Sequence, residues 1–207
     1  MNNKGMTILL ATGNAYKIRE ITAVLKTVSP ELTVYSFKDL AREIAMPEET
    51  GVTLEENAFL KAVGIFETTG VPCIADDTGL EIQALGGAPG VYSARFAGHE
   101  ANDMDNRSKV LGLLKDKENR TSKFRTVICF HDGIRTIFGE GEISGEILQE
   151  ERGGNGFGYD SIFQPENSDR TFAEMDPDEK NSQSHRTRAL QDFLMRFKKL
   201  FEMENAG

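Results

Sequence analysis

The chain has 207 residues, a formal net charge of -9, 39% hydrophobic and 28% charged residues; this length holds one to two domains with a real core, and the negative balance excludes nonspecific binding along a nucleic-acid backbone, which needs a broad basic surface. No apolar run approaches the ~18 residues of a membrane helix, and the opening stretch "MNNKGMTILLATGN" lacks an export signal, which makes the cytoplasm the expected address. The two cysteines, Cys73 and Cys129, each sit in an apolar, strand-like run and read as buried thiols in a reducing compartment, with no disulfide or metal pair expected.

In chain order, Thr7 to Ala11 reads as a buried strand, broken by "TGN". A helix follows, with Ile18, Ile21, Val24, Leu25 and Val28 on one face. Leu32 to Phe37 reads as a second strand and "MPEETG" as a loop. Thr53 and Glu56 form a capping-box pattern at the start of a second helix. Its inner stripe is Ala58, Ala62, Ile65 and Phe66, and Gly70 ends it. A strand then leads into "IADDTG", where Asp76 and Asp77 stand side by side. "GLEIQAL" alternates as a strand does and "GGAPG" reads as a loop. Ala101 to Leu114 is expected to be helical. "KFRTVICF" is strand-like, and "HDGI" offers a hairpin turn into "RTIFG". "EGEISGEIL" suggests one more strand, "ERGGNGFGYD" a flexible glycine-rich segment, and a last helix runs from about Ser182 with Ala189, Leu190, Phe193, Leu194, Phe197 and Leu200 inside. Helices and strands mix throughout, with no repeat or linker, so the class is α/β with a mixed sheet.

Four stretches carry candidate chemistry. In "TGNAYK", a strand end meets a helix start, whose N–H groups suit an anion; Thr12, Gly13, Asn14, Ala15, Tyr16 and Lys17 would line it, the alternative being a plain cap by Asn14. The pattern is neither the dinucleotide nor the Walker fingerprint, which argues against a dinucleotide oxidoreductase. Glu48, Glu49, Asp76 and Asp77 form an acidic set; oxygen ligands at a strand end suit Mg²⁺ or Mn²⁺, the alternative being a turn ahead of Gly79. In "FGYDSIF", two aromatics either stack on a flat ring or belong to the core. In "EKNSQSHR", His185 and Arg186 fall in a helix first turn, where cations are unfavourable unless something negative compensates; Lys180 lies just upstream. These pieces together describe a metal-dependent nucleotide binder or hydrolase.

The stretches "LLATGNAYKIREI", "EETGVTLEENAFLKA", "IADDTGLEIQALGGAPGVYSARFAG", "GGNGFGYDSIF" and "EKNSQSHRTRAL", in this order from Leu9 to Leu190, resemble the inosine triphosphate pyrophosphatase family. The resemblance implies one pyrophosphatase domain over 1–207, an elongated mixed sheet flanked by helices, and two lobes with a cleft between them. It implies cleavage of deaminated purine nucleoside triphosphates between the α- and β-phosphates, Mg²⁺ as cofactor, a homodimer, and no nucleic-acid or membrane partner. Carried over by position, Thr12 to Lys17 hold the triphosphate, Glu49 and Asp77 bind metal, and Asp77 also activates water. Glu20 is a further metal contact, and Thr78 touches substrate where many relatives carry Ser. Phe157, Gly158, Tyr159 and Asp160 form the base pocket, and Lys180, His185 and Arg186 complete the nucleotide site. Arg only donates hydrogen bonds, so Arg186 would accept a 6-keto purine and meet the adenine amino group donor to donor. The alternatives are a pyrophosphatase of other base preference and a sensor that binds without cleaving, for which a water-activating carboxylate has no use.

Overall fold

The computed structural model describes residues 7–30, 32–40 and 44–205; residues 1–6, part of the stretch read as lacking an export signal, lie outside them. The strands are β1 (Thr7–Leu10), β2 (Thr33–Tyr35), β3 (Cys73–Ile82), β4 (Pro89–Gly90), β5 (Thr121–His131), β6 (Thr136–Ile147) and β7 (Phe163–Pro165). The helices are α1 (Ala15–Val28), α2 (Leu54–Thr69), α3 (Asp103–Leu113), α4 (Pro177–Gln183) and α5 (His185–Asn205). The sheet order is β2-β1-β3-β5-β6-β7, with β4 paired to β3. β1 runs parallel to β2 and β3, while β4 and β7 pair antiparallel with β3 and β6. The mixed sheet is therefore as expected. Among the described residues no helix is long and apolar enough to cross a membrane.

By internal contacts the chain divides into two compact units. The first comprises Met1–Asp77, Thr126–Gly141 and Arg186–Gly207, and the second Thr78–Arg125 and Glu142–His185. In the first, Ile8, Leu10, Ile74, Ile128, Phe130 and Ile137 of the strands pack against Ile21, Val24 and Leu25 of α1 and Ala189, Leu190, Phe193, Leu194 and Phe197 of α5. Helices α1 and α2 have local reasons to start or stop. Asn14 caps α1 by accepting from the N–H groups of Tyr16 and Lys17, and Thr53 caps α2 by accepting from Glu56 N–H. The other half of the expected box is shifted: the Glu56 carboxylate accepts from Val52 N–H at 2.6 Å. Gly70, at φ 69°, takes the left-handed conformation that closes α2.

The second unit has its own core, built from Leu80, Ile82, Val110, Leu114, Phe124, Ile143, Ile147, Tyr159, Ile162, Phe163, Phe172 and Met175. Here α3 starts on a complete Asn102–Asp105 capping box.

Several expectations are corrected. Asp76 and Asp77 lie inside β3, which runs unbroken from Cys73 to Ile82, and not at a strand end or in a turn. "GLEIQAL" is strand only to Ile82 and then a 3-10 turn over Gln83–Leu85. Pro89–Gly90, expected as loop, pairs with β3; a Cβ on Gly79 would fall 2.8 Å from Gly90 O, so the glycine is what lets that backbone approach. "RTIFG" and "EGEISGEIL" merge into the single strand β6. A short α4 precedes the last helix, which begins at His185. The glycine-rich segment is tied down: Gly154 and Asn155 both donate to Ala173 O, at 3.1 and 3.0 Å, and Arg152 N–H to Ser161 O at 2.8 Å.

β6 passes α5 so closely that a Cβ on Gly139 would fall 2.4 Å from the backbone nitrogen of Phe193. Gly139→Ala is therefore expected to cost about 1–3 kcal/mol of stability. The measurement is the urea midpoint at unchanged slope, and an unshifted midpoint would contradict the packing described.

Candidate functional site

Successive side chains on a strand point to opposite faces, and β3 uses this to separate its two aspartates. On the even-numbered face, Ile74 packs into the core shared with α1 and α5, and Asp76 meets cations from those helices. Lys17 Nζ lies 2.9 Å from Asp76 Oδ2 and Arg186 Nη2 3.4 Å from the same oxygen. Arg186 also pairs with Glu20 through Nη1; Lys17 and Glu20, three apart on α1, share a face. On the odd-numbered face, Cys73 Sγ donates to Ala62 O of α2. There Asp77 Oδ1 receives Lys61 Nζ at 2.7 Å and Asp77 Oδ2 receives Asn57 Nδ2 at 3.4 Å. Lys61 Nζ also reaches Glu49 Oε1 at 2.9 Å, so Glu49 and Asp77 bracket one ammonium.

The two faces differ electrically. Asp76 is 1% exposed. Burial alone would raise its pKa, but Lys17, then Arg186 and Lys61, outweigh burial and hold the carboxyl well below the usual range. For Asp77 the balance reverses: burial pushes its pKa up, Lys61 and Lys17 offset only part of that, and Glu49 adds repulsion. Burial would lower the Lys61 pKa, yet Asp77, Asp76 and Glu49 together raise it. Lys17 is lowered, by desolvation first, with Asp76 opposing and the Lys61 and Arg186 charges adding to it. Asp76 is thus a neutralised anchor, whereas the Asp77 carboxyl is raised above its ordinary value.

Thr12 is buried and its Oγ1 accepts from Asn14 N–H at 3.2 Å. Gly13, Asn14, Ala15 and Tyr16 are exposed at the head of α1. Asn14 acts as the N-cap, one of the two readings left open for it, and its side chain already engages the N–H groups of Tyr16 and Lys17. Glu48 is exposed and Glu49 half-buried. Among the described residues no three His, Cys, Asp or Glu side chains gather into a metal cage. Mg²⁺ typically uses one or two carboxylates and leaves its other positions to water and phosphate, so the hard oxygen donors of Glu49 and Asp77 fit it.

The second unit assembles the other predicted residues. Lys180 Nζ bonds Asp160 Oδ2 at 2.6 Å and lies 4.9 Å from the centre of the Phe157 ring. Asp160 Oδ2 also accepts from Phe157 N–H at 2.9 Å, and a Cβ on Gly156, at φ 76°, would sit 2.1 Å from that oxygen. Gly158 N–H donates to Asp103 Oδ2 at 2.7 Å. The pair of aromatics divides: Phe157 is half-buried beside Lys180, whereas Tyr159 is a core residue whose hydroxyl donates to Ser93 O at 2.7 Å. His185 is 3% exposed and stacks on Phe124 with centroids 4.6 Å apart. Thr78, next after Asp77, is half-buried.

Sequence reasoning quoted "EENAFLKA" without giving Asn57 or Lys61 a role. The signal was there: both fall on the buried stripe of α2, where a fully buried Lys is rare unless paired.

Opposite shifts predict opposite pH behaviour. Asp76 titrates lower folded than unfolded, so its ionised form contributes stability above the unfolded value of about 3.9, and that contribution goes only as pH falls through the lower folded value. Asp76→Asn is expected to lose about 3 kcal/mol at pH 7, with the gap to the parent protein closing only below about pH 4. A gap that closes between pH 7 and 5 in urea titrations would refute this pairing. Asp77 titrates higher folded than unfolded, so its favourable contribution is complete below the unfolded value and is lost as pH rises through the folded one; the stability of the parent relative to Asp77→Asn is expected to fall as pH rises through that folded value in the same urea titrations.

The model of the Ham1 family matches residues 8–196. The chain is 47% identical over 188 residues to a dITP/XTP pyrophosphatase of Haemophilus influenzae, covering 88% of this chain and 94% of that one. It is 44% identical over 189 residues to a dITP/XTP pyrophosphatase of Deinococcus deserti, covering 90% and 87%. Among solved structures, a HAM1 protein from Coxiella burnetii superposes with a TM-score of 0.83 at 38% identity, covering 94% of this chain and 99% of that one. Sequence and fold agree along nearly the whole length, and the chain belongs to the Ham1 family.

Proposed function

We infer that this chain hydrolyses deaminated purine nucleoside triphosphates, dITP, ITP and XTP, to the monophosphate and pyrophosphate, clearing them from the nucleotide pool. Its family and its relatives support that activity. The observation that carries the mechanism is the unequal treatment of two adjacent acids. Asp76 is neutralised by Lys17 and Arg186, while Asp77 is buried with its pKa raised.

A carboxylate with a raised pKa is a better proton acceptor than one in water. Asp77 aligns the attacking water and takes its proton. A triphosphate repels an incoming hydroxide, and Lys17 and Lys61 offset that charge and the charge gathering on the leaving pyrophosphate. Lys17 opens α1, whose N-terminal dipole adds to the same field. Glu49 and Asp77 would hold Mg²⁺, which when bound supplies Lewis-acid polarisation of the phosphate oxygens.

By resemblance the base falls to Phe157 and its neighbours. Phe157 offers a flat apolar face, and Lys180 beside it is a donor only. A 6-keto oxygen satisfies such a donor and a 6-amino group does not, which leaves buried polar groups unpaired for adenine. Arg186, implied by resemblance as the base-reading donor, also pairs through Nη1 and Nη2 with Glu20 and Asp76; in this reading it neutralises Asp76 as well. By resemblance the protein is a cytoplasmic homodimer.

The test is pyrophosphate release over a panel of ITP, dITP, XTP, ATP and GTP, with Mg²⁺ and with chelator. Release is expected from the deaminated purines, to require Mg²⁺, and to fall at least ~100-fold in Asp77→Asn with folding intact. Equal turnover of ATP and ITP would favour a pyrophosphatase of other base preference. Lys180→Met is expected to narrow the ITP-to-ATP ratio of kcat/KM by about tenfold, and an unchanged ratio would reject its role.

A further inference from the structure

Asn57 is a buried amide in the first turn of α2, fully shielded from solvent. Such a group is costly there unless both of its ends are bonded. One end is fixed by chemistry: Gly51 N–H can only donate, so the oxygen of Asn57 must face it, and the two meet at 2.8 Å. The amino end is then turned by necessity onto Asp77, with Nδ2 3.4 Å from Oδ2. The other Asp77 oxygen takes Lys61, one helical turn further along α2. The two oxygens of Asp77 are thereby distinguished, one facing a cation and the other a neutral donor.

Gly51 makes this possible. A Cβ there would lie 2.7 Å from Asn57 Oδ1 and 2.7 Å from Glu56 Cβ, so only glycine lets the loop press onto the helix. That loop carries Glu49 two residues earlier, and Glu49 bonds Lys61. The amide of Asn57 therefore links the backbone of the Glu49 loop to the carboxylate of Asp77. The shorter bond, to Gly51, anchors the amide; the longer one directs its donor.

We propose that Asn57 is a positioning residue of the hydrolytic reaction, setting the orientation of the Asp77 carboxylate and its register with the Glu49 loop. The proposal rests on Asp77 being the water-activating group. Asn57 itself does not touch the reacting atoms; it acts through Asp77.

The discriminating variant is Asn57→Asp. It has the same shape and still accepts from Gly51, but it faces Asp77 with an oxygen in place of a donor. We expect the Gly51 amide to stay protected in hydrogen exchange and the protein to stay folded at the assay temperature, at a lower melting temperature because a second buried carboxylate now faces Asp77. Against ITP with Mg²⁺, kcat is expected to fall about 10–100-fold with KM within about threefold. Asn57→Ala, which removes both bonds, is expected to lose the Gly51 protection as well. Gly51→Ala, which displaces the amide without altering Asn57, should reproduce the fall in kcat and serves if Asn57→Asp folds poorly. Parental kcat in Asn57→Asp, alongside an inactive Asp77→Asn, would overturn the positioning role alone. Losses of kcat that merely track melting temperature across the three variants would reduce Asn57 to a structural residue and also overturn it. Parental turnover in Asp77→Asn would overturn the reading beneath it.

Discussion

The first unit depends on one geometric fact, the two-residue period of β3. Adjacent carboxylates in a turn would crowd and repel. On a strand they point apart, and each meets its own set of partners: Lys17 and Arg186 for Asp76, Lys61 and Asn57 for Asp77. The same alternation places Ile74 and Cys73 on the two flanking layers. A slip of one residue would exchange the aspartates and bury each against the wrong helices.

Charge balance then divides the labour. Glu20, Glu49, Asp76 and Asp77 face Lys17, Lys61 and Arg186, and the surplus negative charge sits on the Asp77 side. In the proposed reaction that surplus is what would attract a divalent cation. Breaking a buried pair by removing one partner is far more costly than never having built it, which ties Asp76 to Lys17 and Arg186 and Asp77 to Lys61. Lys61 sits between Glu49 and Asp77 and holds two acids near each other that would otherwise repel.

The second unit solves a different problem, holding a half-exposed aromatic beside a cation. Asp160 does this with one oxygen, accepting from both the Phe157 backbone and Lys180. Gly156 leaves room for that oxygen, and Ala173 O secures the glycine-rich stretch by accepting twice. At Gly153 and Gly156 the loop needs glycine because backbone and carboxylate approach too closely for a side chain, and the bonds that result keep it in place.

Signals carried within a turn or two of chain were legible in the sequence. Asn14 and Thr53 as caps, Gly70 as a helix end, and the inner faces of α1 and α5 follow from periodicity and from local hydrogen bonding, which need no distant partner. The acids of the site, with Lys17, Lys180 and Arg186, were legible as residue types, and the family resemblance ordered them. Tertiary structure decided the rest. Whether "ADDTG" is turn or strand depends on neighbours far along the chain, β1 and β4, whose hydrogen bonds no local propensity encodes. The partner of each aspartate followed only once that strand existed, because its pleat decides which face each carboxylate takes. Lys61 and Asn57 look like faults in an apolar stripe until Asp77 and Gly51 are brought against them, and Tyr159 stays open between stacking ring and core residue until Ser93 is seen to take its hydroxyl. In each case the deciding interaction joins residues well apart in sequence, and only the folded chain brings them to bonding distance.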